Sequence, residues 1–524
     1  MSTKSLLFVL TCHQGYIRHV ADEEKYAAEN DLLFSSISGC YLPLLRMLRR
    51  LAADGVPCRL SLVISPVVCS LLGDPVVQQQ YIEWLDRHIA LGKQEYDRCG
   101  TDESLLADAL LGRYQADRRD FVETYGQNLL REFARLAKQG VVELLATAGT
   151  YAFLPHYADM TEILNAQVET GLYAHRHFFG SRPDGFWLPY MGYAPGVEKV
   201  LRAYGFSYTF VDTHALLFGE SQASDGIFSP VRCPNFLTLL ARDTTTPDDL
   251  VGAAGFARNG CYRDVNRDIG YELDSSMLGP FMPAGTARHA TGFRYRARSG
   301  ALYDAAQAQA QVRADAELFV ARKTAKLLEA ERLLGGRDVS LVCVLPLDEI
   351  CPVWEEGIDF LEAAVRTAAA EVSGLRVCGG SQVLEKPASL QKLRPFPSAA
   401  TGAGYGEDLL DSTNGWMLRY TRKMCERMVD LAGRFPAETG LKARLLNLAA
   451  RELMIAQGAE WAKMLHDGQN PDYVREHFTA SIRAFITVFD SLGSNTVSTG
   501  WLTQLEREHT LFSWMNYRIF SRKR

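Results

Sequence analysis

Five short stretches of the 524-residue chain place polar or aromatic side chains directly after apolar runs of strand length. They are Thr11-Cys12-His13-Gln14, Thr147-Ala148-Gly149-Thr150-Tyr151, Trp187-Leu188-Pro189-Tyr190, Asp212-Thr213-His214 and Pro346-Leu347-Asp348-Glu349. Carboxyl groups and imidazoles can carry protons, and a phenol becomes a nucleophile when a base activates it. Flat rings suit sugar faces, because they supply apolar contact while the hydroxyls reach polar neighbours. Trp187, Trp354, Trp416 and Trp461 are candidates to line such a groove. In parallel barrels the carboxyl ends of the strands converge on one face, so the five stretches are expected to share one pocket.

The elements that would position these residues are legible as periodicity. Runs at 6–10, 59–64, 141–145, 185–188, 208–211 and 339–345 are apolar or β-branched and of strand length. YLPLLRMLRRLAADG, between the first two, has leucines at helical spacing and Gly55 placed to stop the helix. Apolar strands separated by helices imply a parallel sheet covered on both faces, either a complete or incomplete β/α barrel or an open doubly wound sheet. No G-x-G-x-x-G follows a strand, which weighs against a dinucleotide fold. The polar stretch 74–138 is too long for an ordinary connection and reads as a helical insert. Residues 387–406 are rich in Pro, Gly, Ser and Ala and suggest a boundary, after which only helical stripes follow.

Composition narrows the function classes. A formal net charge of −6 argues against a large nucleic-acid footprint. No apolar run is long enough to span a bilayer. Eleven cysteines with no C-x-x-C pair suggest neither a zinc ribbon nor a disulfide framework, and fit a reducing cytosol. The bulk features alone indicate a β/α enzyme-like domain with a helical domain, taking a small molecule or a sugar.

Longer stretches carry a family likeness. YIRH with YLPLLRMLRRLAADGVPCRLSLVISPVV, VVELLATAGTYAFLP, GFWLPYMGYAPGVEKVLRAYGFSYTFVDTHAL, CYRDVNRDIGYEL, RHATGFRYRARSG and WEEGIDFLEAAV occur in order. NGWMLRY, LNLAARELMIAQGAEW and NYRIF follow in the last quarter. Together they resemble the α-glucan branching enzymes of glycoside hydrolase family 57 along nearly the whole chain. The resemblance implies an incomplete (β/α)7 barrel over 1–390 with the insert at 74–138, then a carboxy-terminal helical bundle over 400–524. It also implies an α-glucan polysaccharide as partner, and no cofactor, metal ion, nucleic acid or membrane. The substrate-binding residues implied by the matching motifs are His13, Trp187, His214, Asp268, Trp354 and Trp461.

The departures fall where chemistry is expected. Retaining glycosidases need a carboxylate nucleophile and a second carboxyl group as acid/base. The family's nucleophilic glutamate follows Trp-Leu-Pro, and here Tyr190 stands in its place. Pro346 aligns with the acid/base aspartate, while a shift of two residues supplies Asp348 as a displaced acid/base. Thr11 replaces a histidine of the first motif, Tyr151 replaces one of the third, and Thr401 replaces a tryptophan. The expectation is a branching-enzyme homologue impaired in catalysis. The alternatives are an active transglycosidase or hydrolase with rearranged residues, in which a base activates Tyr190, and a non-enzymatic interaction protein. A metal-dependent deacetylase would need clustered ligands, which His175-Arg176-His177, read as an exposed helix pair, does not supply.

Overall fold

The computed structural model describes residues 2–20, 25–278, 281, 288–384, 390–494, 496 and 498–522. Its strands are β1 (Lys4–Cys12), β2 (Leu60–Ile64), β3 (Val142–Thr147), β4 (Gly185–Trp187), β5 (Tyr208–Val211), β6 (Val231–Arg232), β7 (Thr238–Ala241), β8 (Val339–Pro346) and β9 (Arg376–Val377). The run KSLLFVLTC in β1 is buried from Ser5 onward, and every residue of β2, β3, β4, β5 and β7 is buried. Strands without a solvated face need cover on both sides, which helical crossovers provide.

The strand order is β6-β7-β5-β4-β3-β2-β1-β8, with β9 also against β1. All pairs are parallel except β6 with β7. The sheet curls until β7 meets β8 at a single bridge between Arg242 and Val342, where Asp243 N donates to Val342 O at 2.7 Å. That seam makes the architecture an incomplete (β/α)7 barrel. It is clamped from outside by the helix Ala305–Leu333, whose buried Lys323 donates to Asp243 Oδ2 at 2.8 Å and Asp249 Oδ2 at 2.7 Å. Lys326 reaches the other oxygen of Asp243.

The sequence pattern predicts six of these strands and misses β6, β7 and β9. β6 and β9 are two residues long, too short for a pattern to show, and β7 reads TLLA, leucines that mark a helix as readily as a strand. The insert after β2 begins with Pro75–Arg98, capped by Asp74, whose side chain accepts from Val76 N at 2.9 Å. That helix buries Tyr81, Trp84 and Leu85, and Thr101–Arg119 packs against it through Leu110 and Tyr114. Leu129–Lys138 then leads into β3. His175 and His177, expected as an exposed pair, separate. His177 faces solvent, but His175 is buried beside Ser181 Oγ at 3.3 Å, and burial pulls its pKa down to about 4.

The last part of the chain is helical: Gly415–Arg434, Gly440–Ala456, Ala459–His466, Pro471–Ser494 and Thr499–Glu508. Gly440–Ala456 is buried from Leu448 to Ala456 without a break, as a helix at the centre of a bundle must be. The bundle seats on the barrel rim. Gln167 donates to Gln457 Oε1 at 2.9 Å, and Tyr157 Oη to Thr421 Oγ1 at 3.3 Å. Residues 387–389 of the expected boundary lie outside the described residues. The remainder is strapped across the strand-end face by bridges from Lys392 to Arg232 and from Ser398 to Tyr193. Among the described residues, no helix is long and apolar enough to cross a membrane.

Candidate active site

Four aromatic side chains form the floor over the strand ends. His13, just beyond β1, stacks on Tyr151 beyond β3, with ring centroids 3.9 Å apart and planes 15° from parallel. Its Nδ1 lies 2.9 Å from Ser65 Oγ, and its Nε2 lies 3.3 Å from Glu460 Oε2. Ser65 is itself fixed, because its hydroxyl caps the helix Pro66–Leu72 by accepting from Val68 N. Beneath them Trp187 is buried, and its indole donates to Tyr151 Oη at 2.9 Å. Tyr190 meets Tyr151 edge to face at 5.6 Å.

The backbone that presents Tyr190 is unusual. Tyr190 and Met191 both have φ near +51°, a left-handed conformation that side-chain-bearing residues avoid at a cost of roughly 1–3 kcal/mol each. The turn is held because Tyr190 O accepts from Ala400 N at 2.7 Å, and Tyr193 pairs with Ser398. Strain kept at a strand end, on the face where barrel chemistry occurs, is what a functional position would show.

Asp348 completes the group from β8. Pro346 sits in register with Thr11 across the β1–β8 pair, and Thr11 Oγ1 donates to Asp348 Oδ1 at 3.3 Å. Behind it lie the buried thiols of Cys12 and Cys40, the latter on a π-helical turn at Ile37–Tyr41. These soft, weakly polar neighbours solvate a carboxylate poorly. Burial, reinforced by the charge of Glu349, pushes the Asp348 carboxyl up to about 8. Burial also raises the Tyr190 phenol well above the ordinary tyrosine range, and Glu460, Tyr151, Glu349 and Asp348 add to the rise. Among the described residues, none hydrogen-bonds the Tyr190 hydroxyl.

The raised carboxyl of Asp348 has a measurable consequence. Between about pH 4 and pH 8 the folded chain holds a proton that an ordinary unfolded carboxyl has released. Stability from this group therefore declines as pH rises through that window. Asp348→Asn, which keeps the shape and removes the charge, is expected to melt with the wild type at pH 4.5. At pH 8.5 it should exceed the wild type by on the order of 1–3 kcal/mol. Parallel melting curves at both pH values would show that Asp348 titrates normally.

On the adjoining rim, His214 is oriented from below. Its Nδ1 lies 2.5 Å from Asp212 Oδ1, and Asp212, fully buried, accepts from Arg242 Nε at 2.6 Å through its other oxygen. Arg242 also reaches Ala400 O at 3.4 Å, which ties this triad to the loop holding Tyr190. His13, Tyr151, Trp187, Tyr190, His214 and Asp348 thus share the carboxyl-end face.

The other expected binding residues lie elsewhere. Asp268 is fully buried, and its carboxylate is taken up by the backbone N–H groups of Gly270, Thr291 and Gly292, the Thr291 hydroxyl and Arg294. Trp354 is enclosed against Tyr262 and Phe360. Trp461 is buried beside Tyr473, with its indole donating to Ile455 O at 2.9 Å. All three are placed in packing or loop closure rather than on an open groove. Thr401 donates to Asp408 within the strap loop. Sequence reasoning missed Ser65, Arg242 and above all Glu460. The one signal for Glu460 was its place beside Trp461 in LNLAARELMIAQGAEW.

Comparison with known proteins agrees with this architecture. Residues 7–276 match Glycosyl hydrolase family 57, and residues 420–520 match the C-terminal part of 1,4-alpha-glucan branching enzymes. The chain is 24% identical over 511 residues to the 1,4-alpha-glucan branching enzyme of Thermococcus kodakarensis, covering 92% of this chain and 72% of that protein. A probable 1,4-alpha-glucan branching enzyme of Mycobacterium tuberculosis is 26% identical over 393 residues, 71% of this chain and 69% of that one. Among solved structures, the α-amylase AmyC from Thermotoga maritima superposes with a TM-score of 0.92 at 25% identity, over 100% of both chains. The branching enzyme from Pyrococcus horikoshii shares the fold, with a TM-score of 0.86 at 20% identity over 100% of this chain and 97% of that one. Because the first family match alone spans more than half of the sequence, and the barrel and terminal helices agree with it, the chain belongs to glycosyl hydrolase family 57.

Proposed function

We propose that the protein is an α-glucan-binding homologue of the branching enzymes whose glycosyl-transfer activity is impaired. The observation that carries this reading is Tyr190, which stands where the family's nucleophile is expected, in a recess whose burial, with Glu460 and Glu349 nearby, opposes ionisation of its phenol. A tyrosine nucleophile needs a base within hydrogen-bond reach. Asp212 and His214 are engaged with each other, Asp348 accepts from Thr11, and neither they nor Glu349 hydrogen-bonds the Tyr190 hydroxyl. The ring is also bulkier than a glutamate and occupies space where a sugar would approach the strand ends.

The relatives named as 1,4-alpha-glucan branching enzymes support an α-glucan as the ligand class. Retention of the wild-type protein in a glycogen-containing native gel, with no change in branching of amylose, is the expected result. A protein that migrates identically with and without glycogen would remove the glucan-binding part of the reading. A second reading, a displaced-carboxylate enzyme, draws on Asp348. A carboxyl that titrates near 8 is still largely protonated at neutral pH, the form a general acid requires. Its signature would be activity lost in Asp348→Asn and unaffected by Tyr190→Phe.

A further inference from the structure

Exposed aromatic side chains are unremarkable when scattered and informative when contiguous. Among the described residues, eight Phe and Tyr side chains are exposed: Tyr96, Tyr173, Phe218, Phe236, Tyr271, Phe396, Tyr405 and Tyr420. Phe218, Phe396 and Tyr405 gather around His214. Their ring centroids form a closed circuit: His214 to Phe218 at 5.7 Å, Phe218 to Phe396 at 6.0 Å, Phe396 to Tyr405 at 6.4 Å, and Tyr405 to His214 at 5.6 Å. Phe218, Phe396 and Tyr405 are 54%, 40% and 50% exposed, so the apolar faces are turned to solvent instead of the core.

The arrangement is built, not incidental. Phe218 follows the short helix Thr213–Leu217, while Phe396 and Tyr405 come from the strap loop almost two hundred residues later. The loop is pinned where Phe396 N donates to Ala215 O at 2.9 Å. Gly404 has φ +107°, and a Cβ there would fall 2.7 Å from the His214 ring, so only glycine lets the loop lie against the imidazole and deliver Tyr405 beside it. His214 is fixed through Nδ1 by the buried Asp212–Arg242 pair, which leaves Nε2 without a partner among the described residues. The platform thus combines flat apolar rings with two polar tips, the imidazole Nε2 and the Tyr405 hydroxyl. That is the pattern suited to a pyranose, which offers an apolar face and a rim of hydroxyls. It is continuous with the strand-end recess, because Ala400 of the same loop bonds both Tyr190 and Arg242.

We infer that Phe218, Phe396 and Tyr405 with His214 form a binding subsite for an α-linked glucan chain, one that carries the chain to or past the recess occupied by Tyr190. The inference rests on the glucan-binding reading above and adds where the chain is held.

The test is affinity of the full chain for glycogen in native gels and for maltoheptaose by calorimetry. Phe218→Ala and Tyr405→Ala are each expected to weaken binding about 5–20-fold, the loss of one stacking ring, with melting unchanged because both side chains face solvent. Tyr405→Phe should retain most of the affinity, and Tyr96→Ala, on the distant insert, all of it. If the wild type binds and the two alanine variants bind equally well, the subsite is overturned while the glucan-binding reading stands. If the wild type binds neither glucan, both fall. A concentration-dependent dimer abolished by Phe218→Ala, with glucan affinity unchanged, would reassign the patch to contact between copies of this chain.

Discussion

Incubated with amylose at neutral pH, the protein is expected to introduce no measurable branch points, and Tyr190→Phe is expected to leave that result unchanged. Branching through a retaining mechanism requires a glycosyl-enzyme intermediate, formed when an ionised nucleophile attacks the anomeric carbon. An ordinary phenol with pKa about 10 is ionised to about 0.1% at pH 7, and burial, with Glu460 and Glu349 beside it, lowers that fraction further here. Loss of a nucleophile typically costs on the order of 10⁵–10⁶-fold in turnover. Iodine staining of amylose and debranching analysis would check this directly.

Tyr190→Glu is also expected to stay inactive, for a reason specific to this recess. The new carboxyl would meet the same burial that opposes the phenolate, with Glu460 and Glu349 beside it, so its own pKa would rise and less of it would be ionised to attack. It would also have to adopt the left-handed backbone of Tyr190. The alignment that puts Pro346, in register with Thr11, at the family's acid/base position would also leave that position without a carboxyl. Robust branching by the wild type that disappears in Tyr190→Phe would establish a tyrosine nucleophile and overturn the proposal.

Lys323→Met is expected to destabilise the folded barrel by about 3 kcal/mol, a drop in melting temperature of several degrees at pH 7. Lys323 is 1% exposed and Asp243 fully buried, so removing the ammonium leaves a buried carboxylate short of one partner, a change that typically costs about 3–5 kcal/mol. The remaining bond from Lys326 sets the lower end of that range. Burial by itself would raise the Asp243 pKa, but hydrogen bonds from Lys323 and Lys326 outweigh it and hold the carboxyl below the usual range. A depressed folded pKa contributes stability above the unfolded value near 4 and loses it as pH falls through the folded value. The Lys323→Met penalty should therefore shrink below pH 4. Pairing it with Asp243→Asn should recover part of the loss, since the stranded charge is then gone. The same clamp closes the β7–β8 seam beside Arg242, so the variant should also weaken glucan binding through a misplaced Asp212–His214 pair. Equal calorimetric melting of Lys323→Met and wild type at pH 7 would show that the seam carries no such energy.

Much of this protein was legible in its residues alone. The apolar runs of β1, β2, β3, β5 and β8 announce strands buried on both faces, because local hydrophobic pattern reports local burial. The insert's Asp74–Pro75 start is equally readable, since capping is settled within a few residues. That Tyr190 follows Trp-Leu-Pro directly after a strand is likewise read from the motif itself. What reaches across the fold is a different matter. β7 is four residues whose closing partner, Val342, lies about a hundred positions away, and no local period encodes that seam. Glu460 meets His13 across 447 positions, a contact created only when the terminal helices dock on the rim. Trp354 and Trp461 have the composition of sugar platforms, yet docking encloses them, while Phe218, Phe396 and Tyr405 are left outside. An aromatic residue has the same type in either role. Only the packing of distant elements decides which rings are covered and which remain for a ligand.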